Sequence, residues 1–253
     1  MLMTHKRISK SSLRLCILGQ GAVGKTLAAW LKKHSGAGFK VKSLSWRRDL
    51  RRGSNTSEIY RLGSSADVIF FATRDSDSLK ALKILEGRPV KKISLSASLQ
   101  HAEVEILHPL MTFHPDSLGS LSDWSLIPIV GSLSPKVFKM EWTFLKNPYC
   151  YLPKSQFPLY HAQIVSGFSI ASEVWCEVAD FLRANKIPKS ILKPLLHQWV
   201  LNLARVKNPL TGPLARKEFK ILESHILKLA SHAATPRQRW RVRCLEGLRE
   251  ISC

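Results

Sequence analysis

The chain has 253 residues, enough for one large domain or two modest ones, and 45% of them are hydrophobic, ample for a core. Its formal net charge is +21, with basic residues crowded before residue 54 and again after residue 160; this favours anionic ligands, but no basic run is interleaved with aromatics as in a nucleic-acid module, so a nucleic-acid partner is not the expectation. No apolar run reaches the ~18 residues that cross a bilayer, and Cys16, Cys150, Cys176, Cys244 and Cys253 form no CxxC pair, which speaks against a disulfide framework or zinc site and fits a reducing, cytoplasmic setting.

In chain order, the basic, Ser-rich stretch from Met1 to Arg14 leads into a short apolar strand, Leu13 to Leu18. The apolar run breaks at Gly19 with no cleavage-site pattern behind it, so it reads as a tail rather than a signal peptide. Gly24 to Lys33 carries Leu27, Ala28, Trp30 and Leu31 at helical spacing. Phe39 to Ser45 alternates as a strand, Ala66 to Ala72 reads as a buried strand, Asp77 to Leu85 as a helix and Val90 to Leu95 as a strand. Leu126 to Val130 adds a further strand, followed by a helix near Pro135–Leu145 and a strand near Cys150–Leu152. From Leu159 helical periodicity dominates, over 159–185, 188–207 and 214–232, separated by Pro188 and by the Asn208-Pro209 to Gly212-Pro213 turn. The expectation is an α/β class protein: a Rossmann-type doubly wound sheet over residues 11–157, followed by an all-helical C-terminal domain over 158–253. The helical part is short for an independent core, which suggests that it completes itself as a homodimer.

Leu18-Gly19-Gln20-Gly21-Ala22-Val23-Gly24-Lys25-Thr26 fits two phosphate-binding motifs at once. Gly19, Gly21 and Gly24 give the G-x-G-x-x-G dinucleotide fingerprint between a strand and a helix, with Gln20, Ala22 and Val23 inside it. The first glycine makes the tight turn, the second lets backbone approach a pyrophosphate, and the third lets helix pack on strand; the anion then rests on the helix N-terminus. The same residues fit G-x-x-x-x-G-K-[ST], a P-loop, with Lys25 for phosphates and Thr26 for magnesium. A base-reading Asn-Lys-x-Asp is absent, the nearest segment being Asn185-Lys186-Ile187-Pro188. A dinucleotide domain needs a selector at the end of its second strand, roughly 20 residues on. Ser45-Trp46-Arg47-Arg48 stands there, and arginines at that point pair with the 2′-phosphate of NADP, where an acid would grip the ribose of NAD. A plain basic loop is the bland alternative for Arg47, Arg48, Arg51 and Arg52.

Beyond the loop, four further segments resemble a known family. They are Ala66-Asp67-Val68-Ile69-Phe70-Phe71-Ala72-Thr73-Arg74-Asp75, Leu107-His108-Pro109-Leu110-Met111-Thr112-Phe113, Leu159-Tyr160-His161-Ala162 and Pro209-Leu210-Thr211-Gly212-Pro213-Leu214-Ala215-Arg216. In order and spacing the chain resembles the bacterial family that pairs a Rossmann-like NADP-oxidoreductase domain with a C-terminal helical domain of unknown function. That family is related to F420-dependent NADP reductases, pyrroline-5-carboxylate reductases and 6-phosphogluconate-type dehydrogenases. The resemblance implies NADP as cofactor and hydride transfer to a small carbonyl or imine substrate. The chain departs from the family at Ser94-Leu95-Ser96-Ala97, where His-x-Ser-Gly is usual, at Gly167-Phe168-Ser169, where Ala-Ser-Asn is usual, and at Lys217-Glu218, where Gly-Asp follows the arginine. Those departures keep open a cofactor-binding protein without turnover, beside the P-loop hydrolase.

Candidate site residues follow. Ala72, Thr73 and Arg74 end a strand where a dinucleotide crosses the sheet, and Ser96 ends the next; helix capping by Asp75 or Asp77 and a plain loop serine are the alternatives. His108, in an extended segment between the domains, and His161, at the start of the first long helix, are candidate proton donors, as either is also a candidate structural histidine. Ser169 stands where the family places a substrate-binding or proton-donating polar residue, and Tyr160 reads as packing. Thr211 and Arg216 flank a turn, with Arg216 suited to an anionic substrate or to a salt bridge. The nine histidines show no metal-ligand spacing.

Overall fold

The computed structural model describes residues 13–34, 38–45, 55–114 and 123–252. The N-terminal basic tail before Leu13 and the arginines at 47, 48, 51 and 52 lie outside the described residues. Two compact units divide the chain, Met1–Ile164 and Val165–Cys253.

Seven strands form the first unit's sheet: β1 (Leu13–Leu18), β2 (Phe39–Leu44), β3 (Val68–Phe71), β4 (Lys91–Ser94), β5 (Val104–Pro109), β6 (Ile129–Gly131) and β7 (Tyr149–Tyr151). Their order is β2-β1-β3-β4-β5-β6-β7. All neighbours are parallel except β5 and β6, where Leu107 to Pro109 run antiparallel to Gly131 to Ile129. Helices α1 (Ala22–Lys33), α2 (Asn55–Ser65) and α3 (Asp75–Ile84) provide the crossovers, and α4 (Pro135–Glu141) precedes β7.

Alternation along the inner strands decides which helix covers which face. Leu13, Leu15 and Ile17 of β1 point to one side with Val68 and Phe70 of β3, under Leu27 and Leu31 of α1 and Phe138 of α4. Cys16 and Leu18 point to the other side with Ile69 and Phe71, under Ile59 and Leu62 of α2 and Ala81 and Leu82 of α3. Strands buried on both faces read as apolar runs, which is why VIFF, and LRLCIL beyond its exposed Arg14, are recognisable. β2, at the sheet edge, keeps Lys40 and Lys42 outward, charges that discourage pairing with another edge. The order 2-1-3-4-5 is a doubly wound order whose switch point lies between β1 and β3.

Three expectations need correction. His108-Pro109 is not a connector between domains; it closes β5, well inside the sheet. The strand expected from Leu126 to Val130 begins at Ile129, because Asp123 accepts from the Ser125 N–H and caps a 3-10 turn over Trp124–Leu126. α2 had no counterpart among the expected elements.

The described residues of the second unit are helical, as expected. α5 (Phe157–Ala184) begins in the first unit and the division falls within it. Behind it come α6 (Leu192–Arg205), the single turn α7 (Gly212–Ala215), α8 (Phe219–Ser231) and α9 (Pro236–Ser252). Leu222 and Ile226 of α8 bury against Val242 of α9. Arg237 and Arg241 of α9 reach Glu173 and Glu177 of α5, and Trp175 meets Trp199 with ring centres 5.9 Å apart.

Candidate functional site

Gly19, Gln20 and Gly21 alone separate β1 from α1. Gly19 has φ +112°, a region open essentially to glycine, and a Cβ there would lie 2.3 Å from the Ala72 carbonyl oxygen. A Cβ on Gly24 would lie 2.1 Å from the Gly19 carbonyl oxygen. Both glycines are therefore demanded by the protein's own backbone, which draws α1 tightly onto the tips of β1 and β3. Gly21 is different: it is exposed, its φ is −70°, and nothing lies within 4 Å of where its Cβ would be. Gly21 is also the N-cap of α1; no side chain caps the helix and no acid stands in its first turn. Its N-terminal N–H groups and the positive end of its dipole thus face a space that glycine keeps clear.

The same geometry separates the two phosphate motifs. A P-loop holds its phosphates in a loop that runs to the lysine. Here the helix has already begun at Ala22, the Lys25 N–H is donated to the Gly21 carbonyl at 2.9 Å, and the Thr26 hydroxyl to the Ala22 carbonyl at 2.9 Å. This is the short dinucleotide bend.

Beside it a groove of about 310 Å³ runs between α1 and β2, lined among others by Gln20, Lys25, Lys32 and Ser43. Ser45 follows directly on β2, and Arg47 and Arg48 lie outside the described residues. On the other flank, the carboxyl tips of β3 and β4 meet. The Ala72 N–H is donated to the Leu18 carbonyl and the Leu95 N–H to the Phe71 carbonyl, so both tips continue the parallel ladder. Thr73 shares a 2.7 Å hydrogen bond with Ser78, and Arg74 sits exposed just before α3. Ser96 and Ser98 share a 2.8 Å bond, and the Ser98 hydroxyl is donated to Asp75 at 2.5 Å.

At the tip of β5 the structure brings together the two histidines chosen from sequence. His108 Nδ1 lies 3.0 Å from the Tyr160 hydroxyl, and the His108 ring stands edge-on to His161 with centres 6.1 Å apart. Register places His108 beside Val130 and Val130 beside Cys150, while Val130 and Tyr160 pack against the cluster of Ala97, Ile106 and Phe157. Burial, with His161 as the lesser cause, pushes the His108 imidazole down to about 4. It is neutral at pH 7, so one ring nitrogen carries a proton while the other accepts. Burial also pushes the Tyr160 hydroxyl above its ordinary value, which keeps it protonated.

Ser169 is exposed on the part of α5 that belongs to the second unit. Thr211 precedes α7 without capping it, and Arg216 forms a two-pronged pair with Glu218 at 2.8 and 2.9 Å. These three belong to the second unit, and the histidine pair to the first. Among the described residues, no group of three or more His, Cys, Asp or Glu could hold a metal, and no helix is long and apolar enough to cross a membrane.

Residues 141–240 match the family model described as a domain of unknown function, DUF2520. The matched region begins after β6 of the Rossmann-type sheet. That region holds Tyr160, His161, Ser169, Thr211 and Arg216, while the glycine bend and His108 lie before it. Among solved structures, the chain is similar to a candidate NADP oxidoreductase from Bacteroides fragilis, with a TM-score of 0.71 at 16% identity over 96% of this chain and 100% of that one. It is also similar to a pyrroline carboxylate reductase of Plasmodium falciparum solved with NADP bound, with a TM-score of 0.56 at 12% identity over 95% and 100% of the two chains. An imine reductase variant from Myxococcus stipitatus, solved with NAD+, follows with 0.51 at 13% identity over 95% and 92%. At such identities the likeness is one of fold. No curated protein matches the sequence.

Three members of the site were missed or undervalued in the sequence. Tyr160 is a polar partner of His108 as well as a packing residue. Ser98 and Asp75 join Ser96 only through contacts across the strand tips. For Tyr160, the adjacent histidine was the available signal; for Ser98, the Ser94-x-Ser96-x-Ser98 spacing was.

Proposed function

We propose that this protein is an NADP(H)-dependent oxidoreductase acting on a small carbonyl or imine substrate. The observation that carries this reading is the contrast among the three glycines: two are required by the backbone, and the third guards empty space at an uncapped helix N-terminus. That is what a diphosphate needs, and a Cβ at Gly21 would fill its place. The similar structures that hold NADP or NAD+ agree with it.

When bound, the nicotinamide supplies the hydride, which passes from its C4 to the substrate carbon. Gly19, Gln20, Gly21, Ala22, Val23 and Gly24 hold the diphosphate against α1. Ser45 with Arg47 and Arg48 receives the adenosine end, the two guanidinium groups matching a 2′-phosphate. Ala72, Thr73, Arg74 and Ser96 line the tips of β3 and β4 beside the reacting half. His161 delivers the proton to the substrate oxygen or nitrogen, and His108, held by Tyr160, orients it. Ser169, Thr211 and Arg216 contact the substrate, and for Arg216 this means exchanging Glu218 for an anionic group. The second unit mediates a homodimer: Phe168, Phe181 and Leu195 are more than half exposed, an unusual load of apolar surface for a single chain.

Titration with NADPH, NADH and magnesium–GTP, followed by fluorescence and thermal shift, tests this reading. NADPH is expected to bind tightest, and replacing Arg47 and Arg48 together by alanine narrows its advantage over NADH about tenfold or more. Tighter binding of magnesium–GTP than of either dinucleotide overturns it.

A further inference from the structure

The serine-rich turn after β4 closes on itself before it reaches outward. Ser94, fully buried, donates its hydroxyl to the Ser96 carbonyl at 2.8 Å and accepts the Ser96 N–H at 3.0 Å. This pins the backbone of Ser96 to the strand tip. From there a chain of hydroxyls leads away: Ser96 Oγ to Ser98 Oγ at 2.8 Å, and Ser98 Oγ to Asp75 Oδ2 at 2.5 Å, on the first residue of α3.

The carboxylate gives this chain a direction. An ionised carboxylate only accepts, and a hydroxyl has a single proton. Ser98 spends its proton on Asp75, so towards Ser96 it can only accept. Ser96 in turn spends its proton on Ser98. What remains on Ser96 Oγ is lone-pair density, besides a long 3.4 Å approach from the Ser98 N–H. Ser96 is half-buried at the carboxyl tip of β4, next to the tip of β3 and one strand further from the switch point.

We propose that Asp75 and Ser98 are positioning residues that fix Ser96 as an obligatory hydrogen-bond acceptor, selecting a donor on the nicotinamide half of the cofactor, its carboxamide NH2. This rests on the dinucleotide reading of the site. A ribose hydroxyl and a substrate amine offer the same donor chemistry, and the experiment separates them. Without Asp75 or Ser98, the Ser96 hydroxyl rotates freely and no longer discriminates between donors and acceptors.

The probes are NADPH and its reduced 3-acetylpyridine analogue, in which a methyl replaces the carboxamide NH2 and both riboses are unchanged. Dissociation constants are measured by fluorescence for the full chain and for Ser96→Ala, Ser98→Ala and Asp75→Asn. The unaltered protein is expected to favour NADPH about five- to tenfold, the scale of one hydrogen bond. Ser96→Ala brings the ratio close to one, and Ser98→Ala and Asp75→Asn reduce it at least about threefold, mainly through weaker NADPH binding. A ratio of one in the unaltered protein, or an unchanged ratio in Ser98→Ala, overturns the proposal. Equal weakening of both dinucleotides in the variants assigns the donor to a ribose hydroxyl and overturns it too, as does a substitution that leaves both affinities unchanged, which points to the substrate. Ser98 is exposed, so Ser98→Ala carries the test if Asp75→Asn, at a helix start, fails to fold. No binding of NADPH at all ends both this inference and the reading beneath it; binding without discrimination ends this inference alone.

Discussion

Gly19 and Gly21 stand two residues apart and answer to different masters. Gly19→Ala forces a Cβ at positive φ into the Ala72 carbonyl and is expected to cost more than about 2 kcal/mol of stability, read as a lower melting temperature. Gly21→Ala meets nothing in the protein, so its stability stays within about 0.5 kcal/mol of the parent. Its affinity for NADPH is expected to fall tenfold or more. Equal melting temperatures with equal affinities would show that the space above Gly21 holds no ligand.

His108 gives a second residue-scale expectation. Its folded value, about 4, lies below the ordinary 6.5, so the folded protein resists protonation there more than the unfolded chain does. The stability this contributes is complete above pH 6.5 and is lost as pH falls towards 4, up to about 3 kcal/mol across that window. A His108→Asn variant is therefore expected to lose less melting temperature than the parent between pH 6.5 and 4. Parallel curves would contradict the burial of this imidazole.

At the scale of elements, the sequence was legible where one period dominated. β1, β3 and α1 bury wide apolar faces, and the glycine spacing is local, so the bend is legible in the sequence alone. The helix Asn55–Ser65 buries little beyond Ile59 and Leu62 and contains Gly63 and three serines, a poor helical signature. Tertiary packing explains it: a Cβ on Gly63 would lie 2.8 Å from the Leu85 side chain, so the glycine marks where α2 presses closely on the end of α3. β5 was misread because Pro109 closes it and a proline reads as a break, although a strand end tolerates one. The turn before β6 is held by Asn147, which donates to the Trp124 and Ile127 carbonyls from 20 or more residues away, a contact no local pattern announces. For the same reason the histidine pair could be nominated residue by residue, while the partnership of His108 with Tyr160 could not.

For the whole molecule, the apolar residues exposed along the second unit lead to a statement about assembly. Phe181 and Leu227 each leave more than 60% of their surface exposed in the single chain. Sedimentation equilibrium is expected to give twice the 28.6 kDa chain mass, and Phe181→Lys with Leu195→Lys to shift it towards the single-chain mass. A parent that sediments as one chain at micromolar concentration would remove the dimer from the proposal.

The reversal of direction between β5 and β6 makes a seam in an otherwise parallel sheet, stitched by only the residues from Leu107 to Pro109 against Ile129 to Gly131. His108 sits on that seam, with the Tyr160 hydroxyl against its ring. Any breathing motion that parts those strands would admit water to the imidazole and restore its ordinary basicity. Burial keeps the ring neutral only while the stitching is closed, so a few cross-strand bonds guard its protonation state.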